Sequence, residues 1–185
     1  MFSGDPGVVS NEAPEASRLA ECQNESFSLA GRVRFCQSCK AYIKGFDHHC
    51  PAFGNCIGQN NHFLFMALLV GLLLTEGSFV ACSYKFLSIS PELAQTATDN
   101  SVDLANGAML FSLLQLLWQT IFFTWHVYCV LFNIKTEEWV NWEKYPEFQV
   151  HIADVQENKR PKVRFRNPYS NGIIQNVKDF FAHKR

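Results

Sequence analysis

The sequence carries almost no net charge, -1 at pH 7, and so lacks the basic excess that would point to a nucleic-acid partner. Its first thirty residues, MFSGDPGVVSNEAPEASRLAECQNESFSLA, hold no apolar run, so they are not expected to be a signal peptide. Rich in Ser, Glu, Gly and Pro, residues 1–30 are expected as a disordered cytosolic tail. The segment from Gly107 to Asn133 contains no charged residue, and the stretch SISPELAQTATDNSVDLAN before it has three acids and no base. Charge is thus missing where a bilayer would forbid it, and positive charge is missing from the connection between two apolar segments.

What is present is equally segregated. FLFMALLVGLLLTEGSFVACSYKFL, residues 63–87, and the apolar run 107–133 are each long enough to cross a hydrocarbon core that needs roughly 20 residues of helix. Arg32, Arg34, Lys40 and Lys44 precede the first run, while Lys135, Lys144, Lys159, Arg160, Lys162, Arg164 and Arg166 follow the second. The positive-inside rule then places both termini in the cytosol and residues 88–106 in a luminal loop. Glu76 lies deep in the first run at the depth of Gln115 and Gln119 in the second, so a hydrogen bond between Glu76 and one of those amides is expected. The cytosolic region 134–185 ends in NPYSNGIIQNVKDFF, whose turn residues lead into a short amphipathic helix with Ile173, Ile174, Val177 and Phe180 or Phe181 on one side.

Chemistry concentrates in CQSCKAYIKGFDHHCPAFGNC. Of seven cysteines, at 22, 36, 39, 50, 56, 82 and 129, four fall in this segment with two histidines, which fits metal ligation in a reducing compartment better than a disulfide framework. Cys36 and Cys39 form a C-x2-C pair that a tight turn presents to one zinc ion. Cys50, Cys56, His48 and His49 compete to complete the tetrahedron. The simplest set that leaves Cys50 unligated is Cys36, Cys39, one histidine and Cys56, and adjacent residues of an extended chain face opposite ways, so only one of His48 and His49 can join it. Spacing alone does not say which.

The run Asp47-His48-His49-Cys50-Pro51, followed by Asn55-Cys56-Ile57-Gly58 and by an Asn and a Phe at the mouth of an apolar segment, resembles the cysteine-rich domain of the DHHC family of protein S-acyltransferases. That resemblance implies zinc on Cys36, Cys39, His49 and Cys56, with Cys50 as nucleophile, His48 as its base and Asp47 orienting the base. It further implies acyl-CoA, typically palmitoyl-CoA, as co-substrate, and transfer through an acyl-Cys50 thioester to membrane-proximal cysteines of substrate proteins. NIKTEEW is similar to the family's Thr-Thr-x-Glu motif, with Thr136 and Glu138 kept and Lys135 in place of the first Thr; Tyr169 and Asn176 fit its C-terminal motif.

The expected architecture is a mainly α membrane protein: a zinc-bound β-hairpin module over 31–62, spans over 63–87 and 107–133, and a cytosolic C-terminal region. Family members usually carry four spans and two zinc sites. Here Tyr42 stands where one first-site cysteine would be, and Ala52 replaces the usual Trp. An endomembrane, Golgi or endoplasmic reticulum, is the location the family suggests. Self-association or assembly with another membrane chain would supply missing walls of an acyl cavity; the alternative is an incompetent relative that binds substrates or regulates a true transferase.

Overall fold

The computed structural model describes residues 4–9, 32–93, 99–152 and 162–182. In chain order the elements are strands β1 (Val8–Val9), β2 (Val33–Cys36), β3 (Ala41–Lys44), β4 (His48–Cys50) and β5 (Asn55–Ile57), and helices α1 (His62–Leu93), α2 (Asp99–Leu131) and α3 (Thr136–Val140). Two single 3-10 turns, strands β6 (Gln149–Ile152) and β7 (Lys162–Phe165), and helix α4 (Ile173–Ala182) complete it. The architecture is therefore mostly helical, with small sheets around the cysteine-rich segment. The chain divides into two compact units, residues 1–64 with 128–185, and residues 65–127.

The unit 65–127 consists of the apolar stretches of α1 and α2. Phe65 is buried edge-on against the rings of Phe122 and His126, with centroids 6.3 Å and 4.9 Å away. Elsewhere the two helices show large apolar side chains outward, among them Leu72, Leu74, Phe79, Leu114, Leu117 and Trp118. Two helical segments, His62–Ser88 and Ser101–Leu131, are long and apolar enough to cross a bilayer, and only 11% and 6% of their most apolar windows are buried. A soluble core helix would be mostly buried, so lipid is the natural solvent for these faces.

The connection expected over 88–106 carries helix at both ends, since α1 runs to Leu93 and α2 starts at Asp99, with 94–98 outside the described residues. Helix propensity does not stop where hydropathy does, so a spanning helix continues into water. Glu76 makes no hydrogen bond to Gln115 or Gln119 among the described residues, and Gln119 Oε1 is buried without a partner. Counting residues sets depth in a bilayer but not the rotation of a helix about its axis.

The other unit is built on the strands. A three-stranded antiparallel sheet in the order β1-β3-β2 pairs Val8 with Ile43 and Phe35 with Tyr42. Ile43, Phe46, Cys36 and Cys56 form its small core. The expected tail over 1–30 is thus structured at residues 4–9, the rest of it lying outside the described residues. Asp5 organises this segment by accepting hydrogen bonds from the backbone N–H groups of Gly7 (2.9 Å) and Val8 (3.2 Å). The chain then passes so close to Gly58 that a Cβ there would run into the Pro6 carbonyl oxygen and lie 2.7 Å from Ile43 Cγ2. Asn61, 2% exposed, ties the layers together: its Oδ1 accepts from Gly58 N, and its Nδ2 donates to the carbonyls of Cys56 and Gly4. Position 42 holds an aromatic pair, Tyr42 against Phe35 with centroids 5.0 Å apart, an apolar cross-strand contact.

Candidate metal centre and active site

β4 and β5 form a tight hairpin closed by the turn Pro51 to Gly54, in which Phe53 N donates to Cys50 O and Gly54, at φ 61°, donates to Pro51 O. Its register pairs His49 with Cys56, His48 with Ile57 and Cys50 with Asn55. Side chains alternate across a strand, so His49 and Cys56 share one face while His48 and Cys50 share the other. The register decides what spacing could not.

On the first face, His49 Nδ1 lies 3.8 Å from Cys36 Sγ, 3.4 Å from Cys39 Sγ and 3.6 Å from Cys56 Sγ, and the Cys39 and Cys56 sulfurs are 3.3 Å apart. All four ligand atoms lie within 4.8 Å of one another. A tetrahedral site with Zn–S near 2.3 Å has S···S edges of about 3.8 Å, so the donors stand at close to tetrahedral separation. The charges argue the same way. Burial pushes the Cys56 thiol well above its ordinary range, reinforced by hydrogen bonding to Cys39 and Cys36. At Cys36 the upward push of burial is outweighed by the backbone N–H of Cys39 and by the Cys56 thiol, so that thiol moves down. The surroundings thus favour charge on Cys36 and oppose it on Cys56, an opposition that a divalent cation would reverse. The Cys3His donor set fits zinc, which would be a closed, structural ion.

On the opposite face, His48 Nδ1 lies 2.8 Å from Asp47 Oδ2. Asp47 is fully buried, and its other oxygen accepts from Thr136 N at 3.0 Å, while its backbone carbonyl accepts from Glu137 N at 2.9 Å. The carboxylate therefore sits on the N-terminal turn of α3. Burial alone would raise its pKa, but the hydrogen bond from His48 and the nearby His62 and Lys135 hold it well below the usual carboxylate range. A carboxylate bound to Nδ1–H leaves the basic lone pair of His48 on Nε2. Cys50, two residues along the same face, is buried, with 8% exposure.

The remaining motif residues brace this arrangement. Glu138, 1% exposed, accepts from Arg32 Nε and Nη2, each at 2.8 Å, and from the Lys135 backbone N–H at 2.9 Å. The Arg32 guanidinium also donates to Asn133 Oδ1 and to the Asn133 carbonyl, each at 2.6 Å, and lies 3.9 Å from the centroid of the Tyr169 ring. Asn176 donates to the Leu131 carbonyl at 2.8 Å, satisfying an end group of α2, and accepts from Asn171 N. α4 sets Phe180 edge-on to His62 and against Phe63. Thr136, Glu138, Tyr169 and Asn176 are thus all drawn to one framework around Asp47. A cavity of about 340 Å³ in this unit is lined by Arg32, His62, Lys135, Asn176 and Phe180 among others, and neither His48 nor Cys50 is on its wall.

Reading the sequence missed Arg32, Asn133, Lys135, Asn61 and Asp5 as parts of this framework. Arg32 and Lys135 registered only as positive-inside charge or as a motif departure, although Asp5-Pro6-Gly7 is a turn signal in an otherwise featureless tail.

Comparison with known proteins agrees with the geometry. The profile of the family described as DHHC palmitoyltransferase matches residues 16–143. Palmitoyltransferase ZDHHC17 of Mus musculus is 26% identical over 206 residues, covering 99% of this chain and 31% of that protein. Palmitoyltransferase Hip14 of Drosophila melanogaster is 32% identical over 206 residues, 97% of this chain and 30% of that protein, and Palmitoyltransferase akr1 of Neurospora crassa is 35% identical over 100 residues, 51% of this chain and 13% of that protein. The chain spans about a third or less of the length of these curated relatives. With its metal-type cluster, its doubled histidine divided between two faces and its two bilayer-length helices, the chain belongs to the DHHC palmitoyltransferase family.

Proposed function

We propose that this chain is a protein S-acyltransferase that moves a long-chain acyl group, typically palmitoyl, from acyl-CoA through an acyl-Cys50 thioester to cysteines of substrate proteins at the cytosolic membrane face. The observation that carries this reading is the two-faced hairpin, in which one imidazole joins the metal-type cluster and its neighbour, bound to Asp47, lies on the strand face that also carries the Cys50 thiol. Bound zinc on Cys36, Cys39, His49 and Cys56 would fix the hairpin and take no part in proton transfer. His48 Nε2 accepts the Cys50 proton, and the resulting thiolate attacks the thioester carbonyl. As the C–S bond to CoA breaks, the departing sulfur takes the proton back from His48. In the second half His48 takes the proton of a substrate thiol, whose sulfur attacks the acyl-Cys50 carbonyl, and as the C–S bond to Cys50 breaks the Cys50 sulfur takes that proton back, so the acyl group changes carrier twice and nothing is oxidised. Asp47 holds the His48 tautomer and stabilises the imidazolium in both halves.

The partners follow from that chemistry: a lipid bilayer, acyl-CoA, and proteins with membrane-proximal cysteines, with self-association or another membrane chain helping to enclose the acyl chain. The distribution of basic residues favours both termini in the cytosol, and an endomembrane, Golgi or endoplasmic reticulum, is the compartment we assign. The deciding experiment uses the chain in nanodiscs with labelled palmitoyl-CoA and then neutral hydroxylamine. Hydroxylamine-labile label on Cys50, abolished by Cys50→Ser, is expected. Absence of label in zinc-loaded, folded protein overturns the transferase reading in favour of a substrate-binding or regulatory relative.

A further inference from the structure

Lys135 begins α3 where the family motif has a threonine, and its side chain turns inward. Nζ lies 3.2 Å from His62 Nδ1. An ammonium can only donate, so His62 meets it with a lone pair on Nδ1 and carries its proton on Nε2. His62 and Asp47 bring a ring nitrogen and a carboxylate oxygen within 4.8 Å of each other, which puts the ammonium one residue away from that carboxylate; burial lowers the basicity of Lys135, and the charge of Asp47 offsets that, as does Glu138. An unpaired buried cation costs several kcal/mol, so the carboxylates around it decide whether it is tolerated. Glu138 is committed to Arg32 through two bonds of 2.8 Å. Asp179, the acid on the cavity side, is bound to Gln175 at 2.7 Å. That leaves Asp47 as the negative group whose charge Lys135 complements, alongside His62. A point charge on a long stem can serve Asp47 in a way that threonine's short neutral hydroxyl cannot.

We propose that Lys135 is a positioning residue for the thiol chemistry: its ammonium, held by the neutral ring of His62, supplies a part-buried counter-charge that fixes the Asp47 carboxylate, and through Asp47 the ring of His48 on the strand face that carries Cys50. This rests on the reading of His48 as the base for Cys50, but its test does not require acyl transfer. The rate of Cys50 alkylation by iodoacetamide at neutral pH is measured in the zinc-loaded chain in nanodiscs, with Cys50→Ser as blank.

Lys135→Met keeps the apolar stem and removes the charge. It is expected to slow alkylation about tenfold while zinc content stays at one per chain, and Lys135→Arg is expected to recover most of the rate. Combined with His48→Ala, Lys135→Met is expected to slow alkylation no further than His48→Ala does, because a residue acting through His48 has nothing left to act on. If Lys135→Met slows the reaction equally with and without His48, or lowers it only together with zinc content and without rescue by Arg, the proposal is overturned. Failure of His48→Ala to slow alkylation would sink the underlying assignment of His48, and an unchanged rate in Lys135→Met beside a slowed His48→Ala would sink the role of Lys135 alone.

Discussion

Removing the carboxylate of Glu138 tests the framework most severely. The Arg32–Glu138 pair is bidentate, with both bonds at 2.8 Å, and its side chains are only 6% and 2% exposed. Glu138→Ala strands a guanidinium in the interior, a loss of about 3–5 kcal/mol for a buried pair broken on one side. It also deletes the bond from Lys135 N that caps α3, worth about 1 kcal/mol more. Against a typical domain stability of about 5–15 kcal/mol, such a loss consumes a third or more. The apparent melting temperature of the zinc-loaded chain in nanodiscs should fall by more than about 10 °C, at roughly 2–8 °C per kcal/mol. Zinc release to a chromogenic chelator should quicken in parallel, because α3 anchors Asp47 next to the hairpin. Glu138→Gln, which keeps the shape and one acceptor, should cost about half as much. Replacing both partners by apolar residues, Arg32→Met with Glu138→Leu, should cost less than the sum of the single changes, since neither charge is then left alone. A Glu138→Ala chain that melts within about 2 °C of the parent and releases zinc no faster would show that the buried pair does not hold this unit together.

Exchange of the two histidines should have opposite effects. His49→Ala is expected to lose zinc on dialysis, whereas His48→Ala keeps it, as counted by elemental analysis, and slows Cys50 acylation by about 10²–10⁴; zinc loss in His48→Ala with retention in His49→Ala would invert the assignment. Gly58→Ala should push out the segment 4–9, because its Cβ collides with the Pro6 carbonyl. Limited proteolysis near the N-terminus then speeds up, at a stability cost of about 1–3 kcal/mol; an unchanged cleavage rate would argue that the contact is not maintained. Removing zinc with a strong chelator should abolish labelling of Cys50 and restore it on readdition, although the ion takes no part in the transfer.

How far the residues announced this arrangement differs from place to place. The cysteine spacing pointed to a metal site and the family resemblance implied His49 on it, but spacing by itself left the two histidines open, because alternation needs a register before it has a direction. The two long helices were legible from hydropathy, while their ends were not, since helix continues into the polar residues beyond Leu87 and before Gly107. Residues 4–9 looked like tail because their stabilising partners, Ile43, Gly58 and Asn61, lie far along the chain. Arg32 was hidden for the same reason: one of several basic residues before an apolar run reads as topology until Glu138, 106 positions later, comes to meet it.

That separation has a consequence for how the molecule is made. Asp47 leaves the ribosome 89 positions ahead of the Thr136 amide that anchors its side chain, and Arg32 leaves 106 positions ahead of Glu138. Between them, both apolar helices must be threaded into the bilayer. Until the residues after the second helix emerge, the early half of the unit waits as a cysteine-rich hairpin without its cradle. A nascent chain whose second helix failed to insert would hold its thiol on an unfinished platform, so correct topogenesis is built in as a precondition for acquiring chemistry.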